Sequence, residues 1–397
     1  MLVGLARRVL TETDPRVIRK FVYNFGIKGL RSVELHKRRI KRGEYFPPFL
    51  FISVISGCQL RCQGCWVDVA APSKRIALDD LSRIVRDAQR HGNSYFGILG
   101  GEPFLHPELL DLFDAHPDCY FQVFTNGQLI TDAVAARLRA AGNVTPLISI
   151  EGSEAVSDTR RGRLNVLNKT IAGLEACRRH RLLIGVATSV CQSNIETVMD
   201  ERWLGRLVEM GVHYAWFHTY RVVGPQATPE LALRPDQIVA IRRFVVRMRS
   251  RVPLAIVDAY WDDKGDALCP MATGISHHIS PYGDVEPCPI IQFARDTIHD
   301  RESLFETMTR SAFLEDFRKT AAGATRGCVV LERPDLVRDL VARHGARDTT
   351  QRGTALAEMV ALEPRTSQHQ PGEEVPEDHW AYRFAKKHWF FGFGAYT

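Results

Sequence analysis

The stretch "ISGCQLRCQGCWVD" (residues 55–68) sets three cysteines, Cys58, Cys62 and Cys65, in one tight loop at C-x3-C-x2-C spacing. It continues directly from "FLFISVIS" (49–56), an apolar, β-rich run of strand length. Working outward, similar runs recur at "YFGILGG" (95–101), "YFQVFTNG" (120–127), "PLISIEG" (146–152), "LLIGVATSV" (182–190) and "HYAWFHTY" (213–220). Amphipathic stretches such as "ALDDLSRIVRDAQRHG" and "TDAVAARLRAAG" lie between them. The second opens on Thr131, a helix N-cap, and stops at Gly142, a C-cap. Six strand–helix alternations predict a parallel α/β sheet. The runs are apolar nearly throughout, as in strands covered on both faces. Spacing alone fits an open doubly wound sheet or a partial barrel.

The 397 residues exceed one compact domain and suggest a large domain with appendages. At 45% hydrophobic and 25% charged, the composition suits a globular protein with a sizeable core. No apolar run reaches the roughly 18 residues of a membrane span. The N-terminal apolar stretch is short and interrupted by arginines, unlike a secretory signal. The expected location is therefore cytoplasmic, where nine cysteines point to metal binding or catalysis before disulfides. The net charge of +6 is concentrated: residues 1–46 carry twelve Lys/Arg against four Asp/Glu. This helical, basic arm reads either as a solvated face or as a contact for an anionic surface, leaving a peripheral membrane contact open. Nucleic acid is not expected.

Cysteine thiolates suit zinc or an iron–sulfur cluster. A structural zinc site closes with a nearby fourth Cys or His, yet the first histidine downstream is His91. Three thiolates on a four-iron cluster would leave one iron open. In these features the sequence resembles the radical S-adenosylmethionine (radical SAM) enzymes, whose signature is this spacing followed by an aromatic residue, here Trp66. The resemblance implies a partial (β/α)6 TIM-like barrel and a [4Fe–4S] cluster on Cys58, Cys62 and Cys65. It also implies S-adenosylmethionine chelated at the fourth iron and cleaved to a 5′-deoxyadenosyl radical, with a reducing partner such as flavodoxin or ferredoxin. "GGEP" (Gly100, Gly101, Glu102, Pro103) corresponds to the turn that meets the methionyl amino group, with Glu102 facing the ammonium. Thr125 and Asn126 of "FTNG", and Ser149 and Arg161 of "SIEGSEAVSDTRRG", would contact the cofactor. Glu151 stands where the family more often has aspartate. The plain alternatives are an Asn-Gly turn for the first pair and surface pairing of Arg161 with Asp158.

A second set, Cys269 and Cys288 in C-x13-G-x4-C through Gly283, is similar to the start of the SPASM or shorter twitch extension that holds an auxiliary cluster. "HISPYGDVEPC" reads as a β-hairpin turning at Tyr282-Gly283-Asp284. The full SPASM cysteine run is missing and only Cys328 follows, so a twitch-like second [4Fe–4S] cluster on Cys269, Cys288 and Cys328 is expected. Its fourth partner is open among His277, His278, His344, solvent and substrate; a zinc site or cluster-free hairpin is the alternative. Cys119, Cys177 and Cys191 read as buried apolar residues. His218, Tyr220 and Arg221 end the sixth run and approach the substrate mouth.

The division read from sequence is an arm at 1–46, a barrel at 47–262, an auxiliary unit at 263–330, and a helical and aromatic C-terminal tail at 331–397. In the tail, 363–379 reads as a polar surface loop, and "HWFFGFGAY" packs on the body or lines the entrance. The expected function is radical SAM chemistry on a small-molecule or lipid-like substrate, with no catalytic side chain assigned. A peptide-modifying (RiPP-type) maturase and a non-catalytic iron–sulfur or zinc protein are the alternatives.

Overall fold

A computed structural model describes residues 1–69, 72–258, 260–267, 269–325 and 327–389. Six strands, β1 (Leu50–Ser53), β2 (Tyr95–Leu99), β3 (Tyr120–Thr125), β4 (Val144–Ser149), β5 (Gly185–Val190) and β6 (Tyr214–Thr219), pair in that order and all in parallel. Each lies where the sequence has an apolar run, within a few residues at the ends. Helices on the outside supply the crossovers and cover the strands, which makes this the partial (β/α)6 barrel. Helix Asp132–Ala141 begins and ends as its caps dictate: Thr131 Oγ1 accepts from Val134 N–H, and Gly142 turns out at φ +72°. Helix Leu78–Arg90 buries Leu81, Ile84, Val85 and Ala88 at helical spacing. Cys119 and Cys177 are fully buried in this core, as their lone placement suggested, and Cys191 is buried nearer the site.

The sheet continues beyond the six strands on both sides. β7 (Ala255–Val257) runs parallel to β6. On the other edge β8 (His278–Ile279) runs parallel to β1, and β9 (Asp284–Glu286) returns antiparallel to β8. The hairpin forms where expected, with Ser280 N–H donating to Asp284 O at 2.9 Å and Gly283 at φ +85° in the turn. Its two strands extend the barrel's own sheet, so Cys288, two residues past β9, is delivered to the barrel edge beside β1.

The arm comprises helices Leu2–Glu12, Pro15–Lys20 and Lys28–Ile40 with a π-helical turn at Phe21–Ile27. It closes the end of the barrel where strands begin: Phe25 meets Tyr95, the first residue of β2, edge to face and lies beside Tyr120, the first of β3. Arg8, Lys20 and Lys28 donate to carbonyls of the barrel, so part of the arm's charge is structural. No helix among the described residues is long and apolar enough to cross a membrane.

The segment 363–379 is a loop with most of its residues exposed, as read, but Ser367, Gln368, His369 and Glu377 are buried. Its polarity answers buried partners: Trp261 Nε1–H donates to His369 Nδ1 at 3.2 Å, and Glu377 joins Asp258, Arg242, Arg249 and Lys386 in a charge cluster whose side chains are at most 2% exposed. Helix Trp380–His388 follows, and Trp389 donates from Nε1 to Phe25 O at 3.1 Å. The remainder of the aromatic tail, 390–397, lies outside the described residues.

Candidate active site

The C-terminal ends of the strands open onto one cavity of about 450 Å³. Cys58, Cys62, Cys65 and Trp66 line it from the loop after β1; Cys269, Cys288 and Cys328 line it from the hairpin side. All six thiols are free. Two cysteine triads separated by two hundred residues of chain thus share one chamber.

The first loop is held by backbone contacts. Gln63 N–H donates to Arg160 O and Gly64 N–H to Gln226 O, both at 2.8 Å. Gly64, between Cys62 and Cys65, takes φ +74° and lies against the Tyr220 ring, where a Cβ would fall 2.4 Å from Cε2. The turn after β2 docks on the start of the loop: Gly101 N–H donates to Ile55 O and Glu102 N–H to Gly57 O, each at 2.8 Å. A Cβ on Gly101 would sit 2.2 Å from Gly57 O, so only glycine permits this approach. Gly100 and Gly101 face the cavity as bare backbone.

Glu102 departs from expectation. It is fully buried and, like Pro103, stands behind the wall rather than in it. Its carboxylate accepts from Thr125 Oγ1 (2.7 Å), Asn126 N–H (2.8 Å) and Phe104 N–H (3.2 Å). Burial pushes its pKa up, against the lowering effect of those donors. Glu102 therefore ties the turn after β2 to the turn after β3 and does not face an ammonium. Thr125 and Asn126 do line the cavity, and Asn126 Nδ2, buried without a partner, is a donor in waiting.

Ser149 and Arg161 face the same space. Arg161 pairs with Glu151 at 2.5 Å, and its other arm lies 3.7 Å from Cys62 Sγ. It makes no surface pair with Asp158, whose carboxylate instead accepts from Asn165, Val166 and Leu167 N–H at the next helix start. Burial opposes the Arg161 charge, but Glu151 and Cys62 hold the guanidinium firmly protonated. Glu151, passed over in the sequence because aspartate is commoner there, is its counter-ion and also accepts from Ser189 N–H at 3.2 Å. Burial raises the Cys58 thiol to about 11 and Cys65 to about 12.

Toward the second triad the wall is aromatic, with Phe51, Phe124, Trp216 and Tyr260. His218, Tyr220 and Arg221 line it as expected from the end of β6. His218 Nδ1 is 3.2 Å from the Tyr260 hydroxyl, while Nε2 is buried and unpartnered. Burial, with help from Arg221, lowers His218 to about 4, so the ring is neutral. The Arg221 guanidinium lies 4.8 Å over the Tyr260 ring and adds positive potential at Cys269.

The histidines weighed as partners of the second triad are engaged elsewhere. His277 contacts Pro287 O at 3.1 Å and Arg318 at 3.3 Å. His278 lies between Ser53 Oγ (2.8 Å) and Glu286 (2.5 Å), and His344 meets Asp316 at 2.9 Å. None of the three lines the cavity. One side chain that sequence reasoning missed does: Gln368, from the segment read as a surface loop. No local pattern signals it.

The donor sets suit iron–sulfur clusters. Each triad offers three free thiols around a space, with an arginine beside it. Among the described residues no three His, Cys, Asp or Glu side chains converge closely enough to hold one metal ion.

Residues 52–198 match the Radical SAM superfamily. An AdoMet-dependent heme synthase of Methanosarcina barkeri is 27% identical over 43% of this chain and 50% of that protein. A GTP 3′,8-cyclase of Parasynechococcus marenigrum is 27% identical over 52% of this chain and 65% of that protein. The chain thus spans between half and two thirds of these curated relatives. Among solved structures, Streptococcus suis SuiB bound to S-adenosylmethionine superposes with a TM-score of 0.61 at 16% identity, covering 71% of this chain and 70% of SuiB. That likeness shows a shared fold.

Proposed function

From residues 52–198, a radical SAM domain, we infer that this chain is an enzyme binding a [4Fe–4S] cluster at Cys58, Cys62 and Cys65 and S-adenosylmethionine at its open iron. A second, auxiliary [4Fe–4S] cluster sits on Cys269, Cys288 and Cys328. The observation that carries this reading is the shared cavity, with one triad at each side and the cofactor-facing residues between. When bound, the cluster and S-adenosylmethionine supply reductive cleavage of the sulfonium and hydrogen-atom abstraction. The electron comes from a reducing protein of flavodoxin or ferredoxin type.

The chain's own residues do the positioning. The bare backbone of Gly100 and Gly101 leaves room for the methionyl end. Asn126 Nδ2 donates to the cofactor, held by its neighbours: Asn126 Oδ1 accepts from Gln59 Nε2 and Gln128 N–H, both at 3.1 Å. Arg161 balances thiolate charge beside Cys62, and Glu151 keeps that arginine aimed. The buried aromatic wall excludes water. A hydrogen bond to the Tyr260 hydroxyl orients the His218 ring, and the unpartnered Nε2 meets the substrate.

The substrate is a compact small molecule or a lipid-like one. The curated relatives named above, a heme synthase and a GTP cyclase, support a small molecule with rings, which Trp216 and Tyr260 would stack. A peripheral contact with an anionic membrane belongs to the same proposal, supported by exposed Val3, Leu10, Tyr23, Ile27 and Leu30 among the arm's arginines.

The test is anaerobic reconstitution followed by incubation with dithionite and S-adenosylmethionine. About seven to eight irons and formation of 5′-deoxyadenosine are expected. Cys62→Ala should abolish cleavage, whereas Cys288→Ala should retain part of it. Wild-type protein that forms no deoxyadenosine would refute the enzymatic reading in favour of a non-catalytic iron–sulfur or zinc protein.

A further inference from the structure

Gln368 is 2% exposed and lines the cavity beside Gly327 and Cys328. Neither Oε1 nor Nε2 has a hydrogen-bond partner. A buried polar group left unsatisfied is costly, so this carboxamide has both an acceptor and a donor to offer a ligand in the cavity. Its position is built, not incidental. A Cβ on Gly327 would fall 2.2 Å from Ser367 Oγ and 2.5 Å from Gln368 Cγ, so the strap lies directly on the residue before Cys328. Ser367 Oγ accepts from Cys328 N–H at 2.7 Å and donates to Glu332 Oε1 at 2.6 Å. Arg365 N–H donates to Leu331 O at 2.8 Å, and His369 is held by Trp261. Residues 365–369 are thereby clamped onto the turn that carries the third thiol.

We propose that Gln368 is the fourth ligand of the auxiliary site. Its Oε1 binds the iron that Cys269, Cys288 and Cys328 leave open, and its Nε2–H donates to a neighbouring sulfide or thiolate. The inference rests on the auxiliary-cluster reading. A three-thiolate four-iron cluster presents one Lewis-acidic iron and several sulfur acceptors, and these match the two unmet needs of a carboxamide together. Of the competing side chains, His277, His278 and His344 are engaged as described and Tyr260 with His218; His218 Nε2 is unpartnered in the same cavity, but Gln368 is the group packed directly on Gly327, next to Cys328. The auxiliary cluster is closed by the chain itself, and substrate binds beside it rather than on its iron.

The experiment uses the full-length chain carrying C58A/C62A/C65A, so that only the auxiliary cluster assembles. Iron content, Mössbauer and EPR spectra, and imidazole titrations are compared for Gln368, Q368A and Q368E, with Q370A as the control at an exposed position of the same strap. About four irons are expected. With Gln368 or Q368E the spectrum should ignore imidazole; with Q368A imidazole should shift it and bind about tenfold tighter or more. Q370A should behave as Gln368. Four irons with identical spectra and identical imidazole response in Gln368 and Q368A would overturn the ligand assignment alone. Iron near zero in the triple variant would overturn the auxiliary cluster and the assignment with it. Circular dichroism of each variant separates ligand loss from unfolding.

Discussion

Glu102 and Arg161 show what a motif residue becomes when its surroundings are fixed. Both were legible as members of the site, and only Arg161 faces the cavity. Glu102 spends its two oxygens on Phe104, two residues on, and on Thr125 and Asn126, more than twenty residues away. Glu102→Gln replaces one acceptor oxygen with an NH2 group set against a donor. We expect thermal stability to fall by about 1–3 kcal/mol, and S-adenosylmethionine binding to weaken because Thr125 and Asn126 lose their brace. Calorimetry and equilibrium dialysis on the reconstituted protein check this; unchanged cofactor affinity would show that the brace does not matter. Arg161→Gln leaves Glu151 buried without its cation. Breaking a buried pair in this way costs about 3–5 kcal/mol, and Glu151→Gln in the same chain should recover part of it in a double-mutant cycle.

Among the elements, the six strands and the hairpin could be read locally because period, apolar runs and turn residues are local properties. Thr131 and Gly142 cap their helix as read, and Gly283 turns its hairpin. Where the hairpin attaches was not legible: pairing of β8 with β1 joins residues more than two hundred apart. The arm is similar. Its helices follow from sequence, but its seat against Tyr95 and Tyr120 does not. Val17, Phe25 and Val33 of the arm are buried, so deleting 1–46 should yield aggregated protein and says nothing about membranes. The proposed membrane contact is better tested on intact protein. Wild type should co-sediment with anionic vesicles at low salt, and the exposed-face double substitution Ile27→Glu with Leu30→Glu should abolish it. Equal sedimentation of both would end the idea.

For the whole molecule, the C-terminal segment is the fastening. Burial raises the Asp258 carboxyl, but the charges of Arg249, Lys386 and Arg242 hold it well below the usual carboxylate range. Glu377 is lowered by the same cations. A carboxylate depressed in the fold contributes stability above its unfolded pKa, about 4, and that stability is lost as pH falls through lower values. Acid titration of thermal stability should therefore show a steep loss below about pH 4. Glu377→Gln should lower stability by about 3–5 kcal/mol at neutral pH and flatten that loss; an unchanged acid limb would contradict the assignment. By itself the sequence determined the alternation of parallel strands and helices, the spacing of the first triad, and the hairpin with its cysteines, because spacing and periodicity are written along the chain; the choice of barrel over open sheet and the expected cofactor class came from the resemblance those motifs carry. Only the tertiary structure decided that both triads face one chamber, that Glu102 braces rather than binds, and that four residues of a largely exposed polar segment are buried, Gln368 among them in the wall. Those outcomes depend on which distant groups meet once water is excluded, and a buried polar residue and an exposed one are spelled the same way until its partners are known.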